Sequence, residues 1–119
     1  MRTLLLLSLL FASAALALDV SGRWRGEAVI DGRPTPVHLT LVQQGATLKG
    51  TGGPTEVDQQ LLSNPAIRGN RLSFDVGPPG RTPAHFEVSA TEWELRGTVR
   101  ASRNGQRVTG QVLLRKRTN

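Results

Sequence analysis

The chain contains no cysteine and no tyrosine, and aromatic side chains make up only 4% of its 119 residues. Without cysteine it has no disulfide, no thiol nucleophile and no lipid attachment site, so its hydrophobic core must hold it together unaided. It also lacks a Gly-x-Ser-x-Gly motif and a phosphate-binding glycine loop. We therefore expect a protein that is not an enzyme, with no catalytic residue and no cofactor.

Histidines and acidic pairs are few and fall at exposed positions. His38 and His85 lie on outward faces of different predicted strands, and no third ligand is spaced with them. Acidic pairs such as Glu56 and Asp58 occur in turns. Acid–base catalysis requires burial that separates two carboxyl pKa values, and a turn does not supply it. We expect no metal site.

Positive charge is in excess, with a formal net charge of +6 carried almost entirely by arginine. The arginines are scattered over solvent-facing strand positions and cluster only in Arg115-Lys116-Arg117. Nucleic-acid surfaces of this kind usually combine charge with stacking aromatics, which do not accompany these residues. The pattern favours a solvated basic surface and no nucleic-acid partner.

The single long apolar run is at the N-terminus and has the features of a secretory signal peptide. A short basic start is followed by apolar residues 4–14 and by Ala15-Leu16-Ala17, a small-residue cleavage site. The run is too short to span a bilayer, and no second run follows. We predict a signal peptide at 1–17, one domain at 18–119, a secreted or periplasmic location and no stable membrane insertion.

After the apolar run, most segments alternate apolar and polar residues with period two. In the first of them, Trp24 and Ile30 share one face and Arg25 lies on the other. This period is typical of half-buried strands, and no amphipathic helix of three turns is present. The predicted strands are 22–30, 36–44, 46–53, 66–69, 71–76, 84–90, 93–101 and 107–115.

A three-residue motif recurs along the predicted strands: an apolar residue, any residue, and a glycine that falls on the inward face. Inward glycines are typical of a sheet that bends sharply to close on itself. Eight sequential strands joined by hairpins close most simply as an antiparallel up-and-down barrel without a free edge. The motif occurs at Leu48-Lys49-Gly50, Ile67-Arg68-Gly69, Leu95-Arg96-Gly97 and Val108-Thr109-Gly110.

The chain resembles the small lipocalin-like (calycin) barrels in three features. Gly22-Arg23-Trp24 opens the first predicted strand, Leu-x-Gly recurs in the hairpins, and the last strand ends Val112-Leu113-Leu114-Arg115. The pattern covers residues 20–117 and is similar to that of short exported bacterial proteins of this type. In lipocalins the tryptophan packs under an arginine of the last strand. The resemblance implies that role for Trp24 and Arg115.

The two ends of such a barrel are expected to differ. Tight turns follow the even-numbered strands at one end, and the longer connections follow the odd-numbered strands at the other. Trp24 and Trp93 begin odd strands, and Leu114 lies between them near the end of the last strand. Because large aromatics dominate small cores, we predict that Trp24, Trp93 and Leu114 plug the tight-turn end, and the resemblance adds Arg115 to this plug.

The long-loop end is the candidate binding site. The longest connection, 54–65, either forms a helical lid over this end or extends the fourth strand. An interior filled by its own side chains is the alternative to an open cavity. The predicted ligand-contacting residues are Ile30, Val37, Val57, Leu61, Ile67, Val76 and Phe86.

These features predict a monomeric, non-enzymatic binding protein, weakly specific for a small apolar ligand at the long-loop end. The alternative is a protein-binding module, such as an inhibitor of a secreted protease that uses the short arm 18–21. A continuous interior cavity favours the ligand, whereas a filled core with an apolar or charged outer patch favours a protein partner.

We predict that the signal peptide is removed after Ala17, because the small-residue site directly follows the apolar run. N-terminal sequencing of the exported protein should then begin at Leu18. Recovery of a membrane-bound chain that still begins at Met1 would contradict this prediction.

Overall fold

The computed structural model describes residues 18–118, so the predicted signal peptide lies outside the described residues. Within this range the chain forms one antiparallel sheet in the order β4-β3-β2-β1-β9-β8-β7-β6-β5, and no helix. The predicted all-β, up-and-down barrel is confirmed, nearly closed and with nine strands rather than eight. The strands are β1 (Gly22–Ile30), β2 (Arg33–Gln44), β3 (Thr47–Gly53), β4 (Gln60–Leu61), β5 (Ser63–Arg68), β6 (Arg71–Val76), β7 (Ala84–Ala90), β8 (Glu94–Arg103) and β9 (Gln106–Lys116).

The ninth strand comes from the segment that nearly closes the barrel. β4 pairs with β3, the Leu62 N–H donates to the Gly50 carbonyl at 3.0 Å, and β5 pairs with β6. Leu62 alone separates the two short strands, and a register shift between Ser63 and Ala66, with Asn64 at φ 52°, lies within β5. The two alternatives for this connection were a helical lid and an extension of the fourth predicted strand, and residues 60–61 form a strand. The remainder, 54–59, forms no helix.

The first hairpin is tighter than expected. The sequence predicted a turn over 31–35, but β2 already begins at Arg33. Asp31 and Gly32 both adopt positive φ, at 53° and 74°, as a two-residue hairpin turn requires. Pro34 fits within β2 because this part of the strand pairs only with β1, so the missing N–H breaks no second ladder.

The expected contrast between the barrel ends therefore holds only in part. Residues 104–105 form a second two-residue turn at the end that was predicted to carry only long connections. Only 54–59 and 77–83 are long there.

Inward glycines mark the places where neighbouring strands approach most closely. A Cβ on Gly26 would collide with the Leu113 carbonyl, and one on Gly97 with the Glu87 carbonyl. Gly50 and Gly110 meet the adjacent strand in the same way. The prediction that these glycines let the sheet bend agrees with this geometry. They create no empty interior volume, because the neighbouring backbone occupies the space.

One cluster of buried apolar side chains fills the barrel. The Phe74 and Phe86 rings stack with centroids 5.2 Å apart and planes 15° apart. Near the long-loop end, a Cβ added at Gly52 would lie 2.7 Å from Leu39 and 3.4 Å from Val76. No charged or polar side chain among residues 18–118 is buried. Of the two alternatives for the interior, this packing of apolar side chains favours the filled core.

The tight-turn end is closed by Trp24 and the N-terminal arm. Trp24 is 1% exposed, and its indole Nε1–H donates to the Val20 carbonyl at 3.0 Å. Val20 and Leu114 are fully buried beside it, and Lys116 Nζ lies 5.6 Å from the Trp24 ring centroid. The arm 18–21 is therefore anchored to the core through Val20 rather than being a free extension.

Two members of the predicted plug are placed differently. Trp93 is 54% exposed, because it belongs to the β7–β8 turn in which the Thr91 N–H donates to the Glu94 carbonyl. Arg115 pairs with Arg25 on the outer face, whereas Lys116 is the residue in register with Trp24. The cation above the tryptophan is thus Lys116, one residue beyond the predicted arginine.

We predict that Trp24→Ala lowers the free energy of unfolding by about 3–5 kcal/mol, the usual range for truncating a large buried aromatic. Trp93→Ala is the matched control and should change it by about 0.5 kcal/mol or less, as for most surface positions. Urea denaturation of both variants measures the difference. Equal losses would contradict the plug described above.

Candidate functional site

The predicted ligand-contacting residues do not form an open rim. Ile30, Val37 and Phe86 are buried members of the core cluster, and Val76 packs against it. Ile67 also packs against the core, but it pairs with Leu72 next to the Gly69-Asn70 turn, at the opposite end of its strand from the long loops. The apolar-ligand hypothesis stays a prediction, and a ligand in the interior would have to share it with the side chains of the core cluster.

Val57 and Leu61 do not cover the barrel, since they are 93% and 78% exposed. Their segment is held to the rest of the molecule by polar contacts instead. Gln59 Nε2 donates to the His38 carbonyl at 3.2 Å, and Glu56 forms an ion pair with Arg117 just past β9. The predicted lid therefore lies beside the C-terminal end of β9.

An open groove of about 920 Å³ lies on the outer face of β1 and β9 and reaches β2 and β8. It arises because side chains alternate along each strand and the register aligns the outward ones. Arg25 is directly opposite Arg115 on β9 and His38 on β2, and Arg96 on β8 is opposite Leu113. We call this site the basic groove and define it by Arg25, His38, Arg96, Leu113, Arg115 and Arg117.

Charge in the basic groove is mainly positive. Its lining holds four arginines and Lys116 against one carboxylate, that of Glu27. Glu94, at the edge, lies 3.3 Å from Arg96 Nη2 and 3.6 Å from Arg115 Nη2. Arg25 forms no ion pair within residues 18–118. Exposed ion pairs of this kind contribute little, so the guanidinium groups remain able to bind an anion.

Sequence reasoning found only part of this site. The cluster Arg115-Lys116-Arg117 was noted, but Arg25 and Arg96 lie far from it in the chain. They reach the same face through the pairing of β1 and β8 with β9. The alternation of apolar and polar residues predicts which side chains face outward. It does not predict that β1 pairs with β9, because that pairing depends on closure of the barrel.

A second polar cluster surrounds His85. Its Nδ1 lies 2.6 Å from Asp75 Oδ1 and its Nε2 lies 2.9 Å from Glu87 Oε2, while Asn64 Nδ2 donates to Asp75 Oδ2 at 3.1 Å. Hydrogen bonds with Glu87 and then Asp75 raise the pKa of His85 above its usual value. The histidine that the sequence placed alone on an outer face is thus held between two carboxylates.

The acidic partners shift in the opposite direction. Partial burial pushes the pKa of Asp75 upward, but the hydrogen bonds from His85 and Asn64 outweigh it and the net pKa is lowered. The hydrogen bond to His85 lowers the pKa of Glu87. The carboxylates sit on opposite sides of the imidazole, and the described residues contain no group of three or more His, Cys, Asp or Glu able to hold a metal.

Comparison of the chain with protein-family models, curated protein sequences and solved structures finds no match. Among residues 18–118 there is no helix of the length and apolarity needed to cross a membrane. A functional assignment must therefore rest on the barrel and its surface.

We predict that an NMR pH titration finds the pKa of His85 above about 6.5, the ordinary histidine value, and that Asp75→Asn lowers it. Because the folded-state pKa is raised, the folded protein binds the proton more tightly than the unfolded chain. The resulting stability is present below the unfolded pKa and is lost as pH rises through the folded pKa.

The stability difference between the wild type and His85→Gln should therefore shrink as pH rises between about 5 and 8. Chemical denaturation across this range measures it. A difference that grows with pH would contradict the protonated cluster.

Proposed function

We propose that this chain is an exported, non-enzymatic binding protein of the small lipocalin-like (calycin) type that recognises a protein partner through the basic groove. The observation that supports this proposal is a barrel filled by its own core beside an open, arginine-lined groove on its outer face. Export and a secreted or periplasmic location rest on the signal-like sequence of residues 1–17.

The filled core favours a partner outside the barrel over a ligand inside it. Drug-sized ligands occupy pockets of about 300–1,000 Å³, a volume that here would require the displacement of core side chains. Phe74 and Phe86 stack within the interior, and the Trp24 plug closes the tight-turn end. The basic groove, by contrast, is accessible without any rearrangement.

The groove also replaces the N-terminal arm as the proposed contact region. The arm 18–21 is held by the barrel: the Val20 N–H donates to Gln43 Oε1 at 2.9 Å, and the Gln43 N–H donates to Ser21 Oγ at 2.8 Å. An inhibitor of a secreted protease that inserts a free arm would first have to break these contacts. A protease remains one possible class of partner, but only through the outer surface.

Site-specific photo-crosslinking in the cells that produce the protein tests this function. A photo-crosslinking amino acid replaces Gln111, which lines the groove without carrying charge. Gln106, exposed at the hairpin end of the same strand, is the matched control position. We expect a discrete protein adduct from position 111 and none from position 106.

A fatty-acid probe titration provides the opposing measurement. We expect no saturable binding by the wild type, because the described interior is filled. Saturable probe binding together with no adduct from position 111 would overturn the proposal in favour of the apolar ligand.

A further inference from the structure

We propose that the basic groove binds an extended acidic peptide segment of the partner, whose carboxylates pair with Arg25 and Arg115 and whose apolar side chains contact Leu113 and Val29. This inference rests on the proposed protein-binding function and specifies the chemistry of the partner.

Charge complementarity is the first argument. The lining carries four arginines and Lys116 against one carboxylate, Glu27, and the only further carboxylates paired with these cations among residues 18–118 are those of Glu94 and Glu56. Guanidinium groups present planar pairs of N–H donors that match a carboxylate, so arginine is well suited to this recognition. Arg25 and Arg115 are directly opposite each other in the β1–β9 register, which places their side chains on the same face. One carboxylate, or two from neighbouring residues, can pair with both.

Glu94 shows that a carboxylate fits between arginines at this site. Its two oxygens lie 3.3 Å from Arg96 Nη2 and 3.6 Å from Arg115 Nη2, and both arginines are exposed. Such exposed pairs contribute little to stability, so exchanging the internal carboxylate for one from a partner costs little. Arg25, which has no ion pair among the described residues, adds a second anchoring position.

The apolar part of the groove distinguishes a peptide from a polymeric anion. Half-buried Leu113 lies opposite Arg96 and two residues before Arg115, while exposed Val29 lies opposite Gln111 in the same lining. No aromatic side chain lines the groove. A nucleic acid would find no ring on which a base could stack. A peptide with alternating acidic and apolar residues can use both the charges and the apolar surface.

Recognition must occur through side chains. β1 is hydrogen-bonded to β2 and β9, and β9 is hydrogen-bonded to β1 and β8. The groove therefore offers no open strand edge for an added strand. The partner's side-chain chemistry, rather than its ability to extend the sheet, decides whether it binds.

Fluorescence anisotropy with a short labelled peptide that alternates glutamate and leucine tests the inference. We expect saturable binding that Arg25→Glu and Arg115→Glu each weaken about tenfold or more, as for a lost charge-assisted contact. Arg68→Glu, an exposed arginine at the end of β5, is the matched control and should bind like the wild type. Thermal unfolding of each variant checks that the barrel is intact.

Peptide variants separate the two contributions. Glutamine in place of glutamate should abolish binding, and serine in place of leucine should weaken it. A peptide with lysine in place of glutamate should bind the Arg25→Glu, Arg115→Glu double variant more tightly than the wild type. This reversal requires direct contact and cannot come from a general loss of folding.

Unchanged peptide affinity in Arg25→Glu and Arg115→Glu would overturn the inference. So would tighter binding of a sulfated polysaccharide that is insensitive to Leu113→Ser, since it would indicate an anionic polymer as the partner. A protein adduct from position 111 without binding of the acidic peptide would overturn only the peptide chemistry. Absence of both would overturn the protein-binding function as well.

Discussion

The barrel depends on a sheet that curls tightly enough to bury its own apolar face. Residues 18–118 form no helix that could cover that face, and the chain has no cysteine with which a disulfide could brace the sheet. Curling brings strand backbones so close at Gly26, Gly97 and Gly110 that a side chain there would strike a carbonyl of the next strand. The inward glycines are therefore a requirement of the curvature, and the curvature is a requirement of the core.

This constraint determines where chemistry can occur. A tightly curled sheet leaves an interior that its own side chains fill, and no polar side chain of the described residues is buried in it. The charged side chains of residues 18–118 remain accessible to water, which screens them, and to partners. The strands thus use one face for stability and leave the other accessible to the proposed partner. The proposed partner site is on the outer face for that reason.

Strand pairing then decides which outward residues become neighbours. Arg25 and Arg115 are far apart in the chain and meet because β1 pairs with β9. Asp75 and His85 meet through the β6–β7 register, and Glu87 reaches the same imidazole from two residues along β7. The two surface clusters have opposite character, one an excess of arginine and the other a histidine between carboxylates. Both are products of register rather than of local sequence.

Most of the strands and their inward faces were predictable from the sequence, because period two and turn residues act locally. β1 and β7 have the predicted bounds, and Trp24 lies in the core as its phase requires. The resemblance to lipocalin-like barrels pointed to the correct tryptophan. The resemblance named Arg115 as the cation above this tryptophan, but Lys116, the next residue, is the one in register with Trp24.

Which strands pair, and in which register, depends on packing across the whole barrel and was not predictable from local sequence. The tertiary structure divided the closing segment into β4 and β5 and anchored the arm 18–21 to the core through Val20. It also left Trp93 in a turn and placed loop 54–59 beside β9. Alternation in the sequence indicates which face of the sheet a residue lies on, but register and closure are set by packing across the whole barrel. The basic groove depends on register and closure, so only the tertiary structure reveals it.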